Sequence, residues 1–201
     1  MIKLYDAREI EYESEALQEI LTRVNRLLIS RETVIVAIDG SSAAGKSTLA
    51  AQLGSIYDCN IFHMDDFFLT DQLRTRERLS EVGGNVDYVR FYEEVIKGLL
   101  SGRNFNYRPY NCRRKALEQA VSVSPKRLNI IEGSYSMHPT FNQYYDLSIF
   151  LYIEYEEQVR RILERNGPVM LKRFQEEWIP MENRYFEAMG IMEKCDIIIH
   201  G

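Results

Sequence analysis

Residues 40–47 read GSSAAGKS, behind the β-branched run VIVAID and ahead of the helix-compatible KSTLAAQL. No other stretch restricts the possible folds as much. Glycine, four residues, glycine, lysine and serine is the spacing of a phosphate-binding loop set between a strand and a helix. Gly40 and Gly45 allow a tight turn where a Cβ would intrude. The loop N–H groups then converge at a helix N-terminus, where phosphate oxygens are favoured. The expected ligand is a nucleoside triphosphate, ATP, cradled by Gly40, Ser41, Ser42, Ala43, Ala44, Gly45, Lys46, Ser47 and Thr48. Lys46 is placed to reach the β- and γ-phosphates, and the Ser47 hydroxyl to ligate Mg2+.

Four or five apolar, β-branched runs surround this loop in sequence, at residues 34–38, 61–64, 128–131, 147–153 and 197–199. Continuous rather than alternating apolarity indicates strands buried on both faces, as in a parallel sheet. Helical patterns separate the runs. Tyr88, Phe91, Tyr92, Val95, Ile96 and Leu99 form one stripe, and Val159, Ile162 and Leu163 another. The expectation is a single α/β domain over residues 1–201, a doubly wound, mainly parallel five-stranded sheet flanked by helices. Residues 1–32 read as an N-terminal helical extension, with the helix over 14–28. Residues 104–124 alternate and read as a hairpin-like insertion, and 156–175 as an arginine-bearing lid.

Charge and cysteine usage narrow the partners. A net charge of −5 argues against a broad nucleic-acid or anionic-membrane surface, while leaving room for a small basic pocket. Cys59, Cys112 and Cys195 have no spacing suited to zinc or a disulfide framework. No apolar run follows a basic start, and no window approaches a membrane span. A cytoplasmic protein with free thiols is expected; self-association is left open.

Two acids follow the second run, in HMDDFF at residues 63–68. In a doubly wound sheet the carboxyl ends of the strands face the ligand. Asp65 there can take a proton from an attacking hydroxyl or help hold Mg2+. Alternation along an extended segment would send Asp66 to the other side, in a structural role. The competing use of both acids is to cap a helix near Phe67. Glu132 ends the third run, in LNIIEGSY, and is placed to bind Mg2+ directly or through water.

In order along the chain, IDGSSAAGKSTLA, FHMDDFF, GGNVDYVRF, NIIEGSYSMHP and VRRILERNG together resemble the uridine kinase-like group of P-loop kinases, relatives of phosphoribulokinases and bacterial pantothenate kinases. The resemblance spans about residues 34–200. It implies transfer of the γ-phosphoryl of ATP to a hydroxyl of a small molecule, most simply a nucleoside such as uridine. It also implies that Asp65 is the base, that Glu132 helps with Mg2+ and that Asp87 binds the ribose hydroxyls. Asp87 follows a glycine turn, which suggests an exposed carboxylate at a cleft edge; capping of the next helix is the rival use. Arg161 and Arg165, four apart, share a helix face and resemble the family's lid arginines, which contact the transferring phosphoryl. Arg160 points elsewhere, and Lys172 and Arg173 are weaker candidates. Where uridine kinases carry a tyrosine and histidine near the base, this chain reads YRPYNCRRKAL. Tyr107 or Tyr110 is left for the tyrosine role, and Arg113-Arg114 turn attention to an acidic or phosphorylated acceptor. The alternatives are a kinase of another alcohol, pantothenate-like or a sugar phosphate, and a nucleotide-dependent regulatory ATPase.

Overall fold

Strand β2 (Val34–Gly40) is buried at all seven positions, because its neighbours cover both faces. The computed structural model describes residues 3–6 and 15–201. Its chain order is β1 (Lys3–Asp6), α1 (Glu15–Ser30), β2, α2 (Lys46–Ile56), β3 (Cys59–His63), a 3-10 turn (Met64–Phe67) and α3 (Arg76–Ser80). Then α4 (Tyr88–Phe91) runs through a π-helical turn (Tyr92–Ile96) into α5 (Lys97–Ser101). Strands β4 (Phe105–Tyr107), β5 (Tyr110–Asn111), β6 (Ala116–Leu117) and β7 (Val121–Val123) follow, then β8 (Leu128–Glu132) and β9 (Leu147–Tyr152). The chain closes with α6 (Tyr155–Arg173), α7 (Ile179–Met189), α8 (Ile191–Lys194) and β10 (Ile197–His200).

The main sheet is parallel, in the order β1-β10-β9-β2-β8-β3. Strands β10, β9, β2, β8 and β3 are those expected from the apolar runs. A sixth, β1, adds at the edge against β10, pairing Lys3 with Ile197 through Asp6 with His200. Part of the N-terminal extension is therefore a strand rather than helix. Helices α1 and α2 cover one face, over Val34, Val36, Ile38, Ile130 and Ile149. The other face, with Ile35, Ala37, Phe62, Ile131 and Phe150, lies under α4–α5, α7 and α8. From β2 the chain moves out to β3, returns to β8 on one side of β2, then crosses to β9 on the other. The crevice at the carboxyl end of β2 is thus the switch point at which such sheets bind ligands.

Gly40 sits in that crevice with φ +138°, and a Cβ there would lie 2.0 Å from the Leu151 carbonyl oxygen. Gly45 takes φ +99° just before α2. No L side chain tolerates the first position, and few tolerate the second.

The insertion is a two-step antiparallel hairpin, β4 on β7 and β5 on β6. Its root belongs to the core: Tyr107 packs on Phe62 and Phe67, and Phe105 on Phe62. Helix α6 is interrupted at Gly167 (φ +76°, ψ +173°) ahead of Pro168, a residue that removes a helical N–H.

Candidate active site

The phosphate loop is held from three sides. Lys46, half-buried, donates from Nζ to the carbonyls of Gly40 and Ser41, each at 2.8 Å, and to Ser134 Oγ at 3.3 Å. At the start of α2, Ser47 Oγ donates to the Glu132 carboxylate, 3.1 Å from either oxygen. Glu132 also meets His63 Nδ1 at 2.5 Å, a contact that raises the imidazole pKa. From behind, Gln158 of α6 donates to the Ser42 carbonyl at 3.0 Å. Glu182 of α7 accepts from Ser42 N–H (3.0 Å), Ser42 Oγ (2.5 Å) and Ser134 Oγ (3.0 Å). Burial raises the Glu182 carboxyl pKa.

A second buried acid closes the base of the loop. Asp39 is fully buried and accepts from Gly40 N–H (2.7 Å), Tyr135 N–H (3.2 Å), Met137 N–H (2.8 Å) and the Tyr185 hydroxyl (2.9 Å). It pins the end of β2 to the turn after β8 and to α7. Loss of hydration nevertheless pushes its pKa to about 6. In this span the folded state holds a proton that the unfolded chain releases near pH 3.8, so Asp39's contribution to stability falls as pH rises from about 4 to 6. The loss is about 3 kcal/mol by linkage. Asp39→Asn removes that slope. Denaturant melts should show the variant's deficit relative to the parent shrinking from pH 4 to pH 7; a deficit independent of pH would contradict the assignment.

Strand β3 ends at His63, and Met64–Phe67 is a tight 3-10 turn. This corrects the expected alternation: the two acids are not on opposite faces of an extended segment. The aromatic neighbours explain why acids stand in such company. Phe67 is fully buried, edge-on to Phe91 at 4.9 Å and stacked on Tyr107 at 5.8 Å. Met64 is buried too. The turn is bolted into the core by its first and last residues, and presents Asp65 and Asp66 between them. Their surroundings differ. Asp65 lies within electrostatic range of Lys46, Glu132, His63 and Arg165. Asp66 lies within range of His63, Asp65 and Arg90, and its charge, added to burial, pushes the Tyr107 pKa up to about 12. Both carboxyls are raised, mainly by desolvation, although water reaches the outer side of Asp65.

The remaining sequence candidates settle as follows. Arg161 donates to Glu157 (2.7 Å) and to the Ala43 carbonyl (3.4 Å), so it braces the outer edge of the loop. Arg165 is exposed, bonded to Asn166 Oδ1, and faces Asp65's field. Arg160 pairs outward with Glu157 and Glu164. Lys172 pairs with Glu176 and Arg173 with Glu177. Asp87 corrects an expectation: it is 7% exposed rather than open. It caps α4 by accepting from Arg90 N–H at 3.0 Å, and lies 3.5 Å from Arg90 Nε. Arg90 in turn donates to the Asp66 carbonyl at 3.0 Å, so Asp87 steadies the acidic turn through Arg90. Tyr107 and Tyr110 are likewise buried, at 8% and 6%, and offer no open ring face. Tyr110 reaches Asp71 through its hydroxyl at 3.4 Å.

Asp39, Ser134, Gln158 and Glu182 escaped sequence reasoning. Asp39 did leave a signal, an acid inside the otherwise apolar run VIVAID. Glu182 left none, since it is one of two acids on a helix 140 residues from the loop it holds.

Comparison with known proteins agrees on the fold. A family model described as the phosphoribulokinase / uridine kinase family matches residues 35–167. A nicotinamide riboside kinase of Schizosaccharomyces pombe is 24% identical over 167 residues, 73% of this chain and 72% of its own. Among solved structures, a possible uridine kinase from Bacillus stearothermophilus superposes with a TM-score of 0.65 at 19% identity, covering 90% of this chain and 99% of that one. A protein described as a fructose transport system kinase from Silicibacter sp. TM1040 gives 0.67 at 21%, covering 90% and 98%. At these identities the structural likenesses speak for the fold.

Proposed function

Since the chain belongs to the phosphoribulokinase / uridine kinase family, we propose that its cleft moves the γ-phosphoryl of ATP onto the hydroxyl of a nucleoside-type acceptor. It is an ATP-dependent kinase by membership; the acceptor class is the step beyond that. The observation that carries it is the geometry at the switch point: Lys46 on the loop carbonyls, Glu132 bridging Ser47 and His63, and Asp65 on the turn that follows His63. A phosphate-binding lysine and a carboxylate in one field suit a donor phosphate and an acceptor hydroxyl meeting between them. The relative that acts on a riboside supports a nucleoside over another alcohol.

In this reading Lys46 and the N–H groups of residues 40–48 hold the phosphates, and Arg165 approaches the phosphoryl in transit. Asp65 orients the acceptor hydroxyl and takes its proton, a role its raised pKa serves by making it a stronger base. Asp87 acts on the acceptor side chiefly through Arg90 and the acidic turn. Family membership implies Mg2+ with ATP. Ser47 Oγ and Glu132, adjacent oxygen donors beside the loop, fit a hard cation. When bound, it would neutralise charge on the β- and γ-phosphates. Phosphoryl transfer is mostly positioning and charge stabilisation, so few residues need take part chemically.

The test is ADP release from MgATP with a panel of ribonucleosides, pantothenate and pentose phosphates. Release that depends on a ribonucleoside is expected. Release supported only by a non-nucleoside alcohol would overturn the acceptor class, and equal release with no acceptor would make the chain a hydrolase.

A further inference from the structure

Helix α7 sends Glu182 and Tyr185 inward from one face, three residues apart. Glu182 is 5% exposed and Tyr185 is fully buried. Both reach the start of the phosphate loop. Glu182 Oε2 accepts from the Ser42 N–H at 3.0 Å, and Oε1 accepts from Ser42 Oγ at 2.5 Å and Ser134 Oγ at 3.0 Å. The Tyr185 hydroxyl donates to Asp39 Oδ2 at 2.9 Å, while Asp39 Oδ1 accepts from the Gly40 N–H at 2.7 Å. Ser42 is gripped from its other side too, since Gln158 donates to its carbonyl at 3.0 Å.

A buried carboxylate beneath an anion-binding loop runs against charge. By Coulomb's law alone it repels the phosphates that the loop receives, and its burial carries a desolvation cost. An apolar side chain of similar size would pack as well. What Glu182 supplies that such a side chain cannot is a set of fixed acceptor contacts converging on the loop. One of them continues to Lys46. Ser134 Oγ stands between the two, 3.3 Å from Lys46 Nζ and 3.0 Å from Glu182 Oε1. A hydroxyl can accept from the ammonium while donating to the carboxylate. The place of Glu182 is thus passed to Lys46 in one step.

We infer that Glu182 is a positioning residue for the nucleotide: from α7 it fixes Ser42 directly and Lys46 through Ser134, and so holds the loop and its ammonium in the arrangement that receives the phosphates of ATP. Tyr185 supports the same arrangement through Asp39. The inference rests on the loop as the ATP site and is independent of the acceptor class.

Charge and position predict opposite results, and two variants separate them. Glu182→Gln removes the charge but keeps an acceptor oxygen for the Ser42 N–H and an amide that can donate to Ser134. Ser134 can then turn its own proton to the Gly40 carbonyl, 3.0 Å away. Glu182→Ala removes charge and hold together. Titration calorimetry with the β,γ-imido analogue of ATP and Mg2+ needs no acceptor. Glu182→Ala should bind the analogue more weakly by about tenfold or more, since the Ser42 N–H loses its charged acceptor. Glu182→Gln should bind it at least as tightly as the parent. Glu182→Asp keeps the charge but falls one methylene short, so it should also lose affinity; it decides the matter if the alanine variant does not fold. In turnover the loss should lie in the KM for ATP, with the acceptor KM unchanged. Parent-like affinity in Glu182→Ala or Glu182→Asp, or a glutamine variant as weak as the alanine one, would overturn the inference while leaving the kinase reading intact. No binding of the analogue by the parent would overturn the phosphate-loop assignment as well.

Discussion

Lys46→Ala should lower turnover by on the order of 10²–10³-fold, the cost of removing one charged donor from a site where negative charge is stabilised. The ammonium reaches the carbonyls of Gly40 and Ser41 and the hydroxyl of Ser134 from inside the loop. It is half-buried and packs no core cluster. Loss of the side chain leaves Asp39 and Glu182 with less positive charge nearby. A modest fall in melting temperature should follow, not unfolding. Steady-state kinetics alongside a thermal melt separates the two effects. Near-normal turnover in a folded variant would remove the phosphate-loop assignment.

The second large effect belongs to Asp65. General-base removal costs about 10²–10⁴-fold in rate, and Asp65→Asn should show it in kcat with nucleotide affinity nearly unchanged. Asp66→Asn should do much less. The reason is not the alternation of an extended strand, because both acids lie on one 3-10 turn. It is the company each keeps. Asp65 shares a field with Lys46 and Arg165, whereas Asp66 faces Arg90 and Tyr107 on the insertion side. Single-turnover rates and nucleotide titrations of the two variants decide between them. A larger loss in Asp66→Asn would exchange their roles.

The parts of this molecule legible in its sequence are those governed by local rules. Four of the expected strands announced themselves as apolar runs because they are covered on both faces, and β3, at the sheet edge and only partly buried, did so through Ile61 and Phe62. Strand β1 did not, since KLYD carries no such run and its place depends on pairing with β10, almost 200 residues away. The 3-10 turn was hidden for a related reason. Its shape is imposed by Phe67 entering a pocket made by Phe91 and Tyr107, which no pattern within HMDDFF reveals. Asp87 shows how two correct local signals compete: a residue after a glycine turn can be exposed, yet the capping of α4 and the pull of Arg90 bury it. The acids behind the loop depend on contacts across 96 to 146 residues of chain, beyond the reach of any motif.

The break in α6 separates the part of the helix fastened to the phosphate loop from the part beyond it. Upstream of Gly167, Gln158 and Arg161 fasten the helix to the phosphate loop. Across the cleft, the insertion is fastened to Phe62 and Phe67. The segment beyond Gly167-Pro168 starts from a residue with no side chain and nothing packed within 4 Å of where one would be, as does the insertion at Gly102. A side chain added at Gly167 would meet no packed neighbour, so only its left-handed backbone angle opposes the change, and the cost of substitution there is conformational rather than steric.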